Sequence, residues 1–290
     1  MSASFSNQFR LSITKALGDQ LAEELAKLTP APLTHANLDE LDHRAAVENL
    51  VSRSGVYQLY RQTEEDAEPK LVYVGKAEKP LPQRLGNHLK KISGRSGISL
   101  GEMTFKCLFV AEDFTAVAPE KLLIKQYRKD GHIPWNTNGF GNKDPGRNRD
   151  RTILKKNHFD VLFRIDLERN VEGLTPGEQT LESLLAQIKN GVPYNFRYEE
   201  SDIYQDVAIS VPDGPLTADQ AFRLAAAHLP AGWQVAALMG YVIMYHDAQT
   251  DYASAWRYYR GTDVHDSEPK LKAAGKIKEE SENGDSDGDA

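Results

Sequence analysis

Phenols, cations and a carboxylate recur along the first half of this 290-residue chain at spacings that could serve one reaction centre. Gly55-Val56-Tyr57 and Tyr73-Val74-Gly75 each set a tyrosine two residues from a glycine. Lys76 follows the second string, Arg84 and His88 stand four residues apart, and Glu120 and Asn136 come later. A tyrosine can relay a proton. An arginine fork matches phosphate oxygens in pairs. A carboxylate can hold a hard cation such as Mg2+. Taken singly, each has a plainer reading: tyrosines fill cores, charged helix faces are solvated, and a glutamate in a first helical turn is favoured by the helix dipole.

Periodicity sets the strands and helices that carry these residues. Residues 56–60 and 71–74 read as two short strands of a hairpin, with the polar stretch 61–70 as its loop. Alternation turns Val56 away from Tyr57, and Val72 and Val74 away from Tyr73, so both phenols can share one side of a sheet. Pro82 opens a helix over about 82–92. On it Arg84, His88 and Lys91 share a face beside an apolar seam of Leu85, Leu89 and Ile92. Residues 103–110 read as a strand that holds Cys107 as a buried, inert thiol. Pro119 starts another helix, on which Glu120 falls in a stripe with Leu123, Ile124 and Tyr127. A carboxylate facing inward costs several kcal/mol unless something pairs with it.

Around this centre, Leu17, Leu21, Leu25 and Leu28 predict an amphipathic helix over about 12–28, ended by Pro30 and Pro32, and residues 39–51 predict a second. Residues 136–150 are rich in Gly, Asn and Asp, hence a shaped loop, and Arg147, Arg149 and Arg151 alternate at its end. A second region starts near Asn157. Residues 159–165 look like a strand, and Thr175 with Glu178 forms a capping box for a helix to about Asn190, stopped by Gly191. Strands follow at 194–197 and 207–211, then a helix capped by Thr217 and Gln220 and running to Leu229. Residues 233–245 fit strand or helix equally. From Thr262 the chain is polar and acidic, and a disordered tail is expected. The expected division is 1–53, 54–156, 157–261 and 262–290.

Composition bounds the function. With 40% hydrophobic residues the chain can build one large or two modest cores. No apolar run nears the roughly 18–20 residues of a membrane span, and no secretory core leads the chain, so a cytoplasmic protein is expected. A single cysteine excludes intrachain disulfides and metal-thiolate clusters. The net charge of −7 hides an asymmetry: residues 70–156 carry an excess of ten positive charges, leaving −17 for the rest. A basic middle between acidic flanks is the footprint expected of a nucleic-acid site.

Joined in order, these strings resemble the GIY-YIG nuclease family over about 54–151, a third of the chain. Gly139-Phe140-Gly141-Asn142-Lys143-Asp144-Pro145-Gly146 after a Trp-Asn pair, together with Tyr73-Val74-Gly75-Lys76-Ala77 and the Arg84/His88 pair, is similar to the Type II restriction-endonuclease branch. Residues 157–261, which the resemblance does not cover, read from their strands and capped helices as a C-terminal α+β region for specificity or dimerisation. For the nuclease part the resemblance implies an α/β (α+β) fold, a small, mostly antiparallel sheet flanked by helices. It implies one Mg2+ per active site, held by Glu120. Tyr57 would be the general base or a water-positioning phenol, its pKa lowered by Lys76, with the base open among Tyr57, Lys76 and His88; Arg84 would stabilise charge on phosphorus, Tyr73 and His88 would orient phosphate or water, and Asn136 would brace the set. Lys90, Lys91, Arg95, Asn142, Lys143, Arg147, Arg149 and Arg151 would contact double-stranded DNA. The implied partners are that DNA, a second copy of the chain and a cognate DNA methyltransferase. Two other readings stay open: a repair or mobile-element nuclease for branched or modified DNA, and a non-catalytic DNA-binding module.

Overall fold

The computed structural model describes residues 13–48, 54–64, 68–77, 80–110, 123, 124, 127, 133–141 and 146–274. Its first sheet is built from β1 (Ala31–Pro32), β2 (Gly55–Arg61), β3 (Lys70–Ala77) and β4 (Met103–Phe109), in the order β1-β4-β2-β3 and antiparallel throughout. Val- and Tyr-rich alternation makes β2 and β3 strands with two apolar faces, and helices cover both.

One face carries Tyr57, Leu59 and Tyr73 and is covered by helix α3 (Leu81–Ser93). Pro82 sits in the first turn of α3, where a missing N–H costs nothing. Its apolar seam buries Leu81, Leu85, Leu89 and Ile92. The opposite face carries Val56 and Val74, packed with Leu21 and Leu25 of helix α1 (Ile13–Lys27) and with Leu123 and Ile133. Helix α2 (His35–Val47) begins at Thr34, whose hydroxyl accepts from the Asn37 N–H at 3.3 Å. Val72 departs from the expected alternation. Pairing runs Leu59 with Tyr73 and then Tyr60 with Leu71, so Val72 is the extra residue of a β-bulge and packs with the tyrosines.

The second half holds three short strands, Leu154–Lys155 (β5), Gly177–Thr180 (β6) and Ala208–Val211 (β8), and a five-stranded sheet made of Phe196–Tyr198 (β7), Gln234–Leu238 (β9), Val242–Tyr245 (β10), Ala255–Arg260 (β11) and Asp263–Asp266 (β12) in the order β12-β11-β9-β10-β7. Helices Leu181–Gly191 and Ala218–Ala227 pack against it through Leu184, Leu185, Ile188, Phe222 and Ala225. Thr217 and Gln220 form the expected capping box.

Several expectations are corrected here. The 233–245 stretch is a β-hairpin. The stretch expected as a strand at 159–165 instead opens with a short helix, Phe159–Leu162, because His158 Nδ1 accepts the Asp160 N–H and caps it. The helix expected from Thr175 starts at Leu181, capped by Thr180, since Gly177–Thr180 pairs as a strand with Ala208–Val211. Strand β12 and a two-residue strand at Leu271–Lys272 lie inside the stretch expected to be tail; residues 275–290 lie outside the described residues. Phe159 and Phe163, beyond the expected boundary at 156, pack into the first core against Trp135 and Phe140. Among the described residues no helix is long and apolar enough to cross a membrane.

Candidate active site

Tyr57 and Tyr73 reach one face of the sheet because Tyr57 pairs with Gly75, two residues beyond Tyr73. Their ring centroids lie 6.0 Å apart. A Cβ at position 75 would overlap the Tyr57 ring and hydroxyl, so the phenol lies across a bare strand. α3 crosses this face and brings in His88, with its ring 5.5 Å from Tyr57 and 5.4 Å from Tyr73. His88 Nε2 is 2.7 Å from the Tyr57 hydroxyl. One turn earlier, Arg84 Nε donates to the same oxygen at 3.1 Å.

The protonation states follow from burial. Tyr57 is 0% exposed and His88 3%. Burial, aided by Arg84 and Lys91, holds the imidazole pKa well below 6.5, so His88 is neutral at pH 7. Arg84 donates to the phenol oxygen, so the single phenol proton is directed at Nε2, and we assign the imidazole proton to Nδ1. Burial and neighbouring Tyr73 raise the Tyr57 pKa, while Arg84 opposes them. At rest Tyr57 is therefore a neutral phenol with a proton acceptor on one side and a cation on the other.

The turn after Trp135 closes the site. Phe140 stacks on His88 at 4.8 Å and 17°, and meets Tyr73 edge-on at 5.0 Å. Lys91 Nζ donates to the Phe140 carbonyl at 2.8 Å. A Cβ on Gly141 would overlap the Tyr73 hydroxyl. Asn136 acts as a surrogate strand on the outer edge of β3: its Oδ1 accepts from the Val74 N–H at 2.9 Å and its Nδ2 donates to the Val74 carbonyl at 2.7 Å. That fixes the backbone between Tyr73 and Gly75.

Five of the expected site residues thus come together: Tyr57, Tyr73, Arg84, His88 and Asn136. Lys76 does not join them. It pairs with Val56, so alternation sends it to the face opposite the Tyr57 ring, and the cation on the phenol is Arg84. Glu120, Asn142 and Lys143 lie outside the described residues. Among the described residues no three His, Cys, Asp or Glu side chains gather as a cation cage. Cys107 is half-buried, and burial pushes its thiol up to about 12, which leaves it protonated and inert.

The expected DNA contacts divide. Lys90 and Arg151 are exposed. Arg147 is exposed, 3.4 Å from Glu199 and stacked over Tyr245. Lys91 is half-buried, and burial, with Arg95, Arg149 and Arg84 adding to it, lowers its ammonium to about 8. Arg95 is a correction. It is buried, with Nη2 3.1 Å from Asp160 Oδ1, and it donates to the carbonyls of Phe163, Met239 and Gly240 at 3.2–3.3 Å. Arg149 is also committed to Asp160. Burial alone would raise the Asp160 pKa, but Arg95, Lys91 and Arg149 hold it below 3.8. This buried knot ties the end of α3 to the second sheet. Sequence reasoning missed Asp160, because an acid within an apolar alternation reads as the solvent side of a strand.

No curated protein matches the chain. Residues 53–133 match the family model of the GIY-YIG catalytic domain, and that match indicates a DNA endonuclease.

Proposed function

We propose that this chain is a Mg2+-dependent endonuclease that hydrolyses phosphodiester bonds of double-stranded DNA, acting in the cytoplasm as a restriction or phage-defence enzyme. The observation that carries the chemistry is the Tyr57 hydroxyl held between His88 Nε2 and Arg84 Nε. In this reading Tyr57 takes a proton from the attacking water while its own proton passes to His88 Nε2. His88 can accept because burial keeps it neutral. Arg84 steadies the charge on the phenol oxygen and then turns its fork toward the phosphoryl oxygens. Tyr73 orients the phosphate or the water, and Asn136 holds the strand that carries it.

Glu120 is the carboxylate assigned to the metal. Mg2+ keeps several waters and binds substrate phosphate oxygens, so one protein carboxylate suits it. The described centre fits such an ion: two phenols, a neutral imidazole and one arginine leave phosphate charge for a second cation to share. When bound, the ion supplies Lewis-acid stabilisation of the phosphoryl and leaving 3′ oxygens. Cutting both strands with one centre per chain calls for a homodimer, at least transiently. A restriction role also calls for a cognate methyltransferase.

The restriction reading rests on the Gly139–Gly146 loop and its neighbours, and it is tested on unmodified plasmid with Mg2+ and with EDTA. Double-strand breaks at fixed sites, only with Mg2+, support it. Cleavage confined to branched or modified DNA would favour a repair or mobile-element nuclease. Tight binding without cleavage under any metal would favour a non-catalytic module.

A further inference from the structure

α3 carries its polar stripe past the Tyr57 centre. Arg84 lies at the centre, and Asn87, Lys90 and Lys91 continue into a solvent-open cleft of about 640 Å³. The opposite wall belongs to the second half of the chain: Lys189 and Asn190 end the Leu181–Gly191 helix, and Asn195 precedes β7. The floor holds Arg95 and Arg149, which share one buried carboxylate, Asp160. Among the described residues Asp160 is the only acid lining the cleft, against Lys90, Lys91, Arg95, Arg149, Lys189 and Arg197. Arg197 is matched by Asp150, but the remainder leaves a clear cationic excess. Such an excess is foreign to the average surface of a chain with net charge −7. Lys90 and Lys189 stand exposed on facing walls.

The distance suits a nucleic-acid strand. Seven helical residues at about 1.5 Å each put Lys91 roughly 10 Å from Arg84 along the axis. One strand of a duplex presents about three phosphates over that length.

We propose that this cleft is a second phosphate-binding site, which holds the backbone of the duplex flanking the scissile bond between α3 and the Lys189–Asn195 wall. The proposal rests on the DNA-endonuclease reading and gives the second half of the chain a specific task, as one side of the DNA channel. A wall built from another sheet is rigidly placed here because Arg95 and Asp160 lock the two halves together beneath it.

The test uses the full chain and a fluorescent duplex of about 30 base pairs, with Ca2+ in place of Mg2+, and reads Kd by anisotropy across a salt series. Lys189→Glu should weaken binding at least about tenfold near 0.15 M salt and lower the salt slope by about one. Lys90→Glu, on the facing wall, should do the same, and Lys189→Arg should bind as the parent does. Lys270→Glu makes the same charge change on an exposed residue outside the cleft, and should change Kd by less than about threefold, as a peripheral charge does. If Lys189→Glu and Lys90→Glu merely track Lys270→Glu while the parent chain binds and cuts duplex DNA, the cleft proposal is overturned and the endonuclease reading survives. If the parent chain neither binds nor cuts duplex DNA, both fall.

Discussion

Replacing Tyr57 with Phe deletes one oxygen and leaves the ring that fills the space over Gly75. The structure sizes two separate effects. The chemical effect is loss of a positioned proton relay, typically worth about 10²–10⁴ in rate. At about 1.36 kcal/mol per tenfold that is about 2.7–5.4 kcal/mol of barrier. The structural effect is smaller. His88 Nε2 and Arg84 Nε each lose a partner, but Arg84 is only half-buried and can turn to water. One buried polar atom is then left unmet, which costs about 1–3 kcal/mol, within the usual stability of about 5–15 kcal/mol. The variant should therefore fold, bind duplex DNA within a few-fold of the parent, and cut at least about a hundredfold more slowly in single-turnover assays with enzyme in excess. Because Tyr57 and His88 act as one relay, adding His88→Ala to Tyr57→Phe should cost little more. A near-normal rate for Tyr57→Phe, or fully additive losses in the double variant, would refute the relay.

Four further outcomes are expected. Gly75→Ala should abolish cleavage and lower the melting temperature, because its Cβ needs the space of the Tyr57 hydroxyl; a melt and a cleavage assay check both. Asp160→Asn should destabilise the fold by about 3–5 kcal/mol, since it leaves Arg95 and Arg149 buried without their counter-ion, and chemical denaturation measures this. The unfolded chain protonates His88 below about pH 6.5 and the folded chain only at much lower pH, so the unfolded state binds more protons in that window. Stability should accordingly fall as pH drops below 6.5, and the acid limb of the cleavage rate should lie beneath the usual histidine range. A chain ending at Ala274 should melt like the parent, whereas one ending at Gly261 should melt lower: it loses β12, and with it the Asp266 carboxylate that accepts from Arg257 Nε at 2.6 Å.

The placement of Tyr57, Tyr73, Arg84 and His88 on one face was readable because short-range rules govern it. Alternation in β2 and β3 sets both phenols on one side, and four-residue spacing on α3 sets Arg84 beside His88. The capping box at Thr217 is equally local. What the sequence hid depends on distant partners. Val72 breaks alternation because the bulge is a property of the pairing of two strands. Lys76 reads as adjacent to the motif, yet strand parity puts it across the sheet from the phenol. Arg95 reads as a surface cation, but its partner Asp160 lies 65 residues away in sequence and its carbonyl acceptors Met239 and Gly240 farther still. β12 was hidden by composition: Asp263, His265 and Asp266 look like tail, and only pairing with β11 makes them a strand.

In the proposed reaction Tyr57, His88 and Arg84, with Mg2+ on Glu120, cut double-stranded DNA. Its most direct test is to incubate a complex mixture of duplex DNA with the parent chain and with Glu120→Ala in Mg2+, and to sequence every end produced. Ends at recurrent sites are expected from the parent. At least about a thousandfold fewer are expected from Glu120→Ala, the loss that follows when a metal ion's several kcal/mol of transition-state stabilisation is removed, with DNA binding largely kept. Equal end counts from both proteins, or no ends from the parent under conditions where it binds duplex, would contradict it.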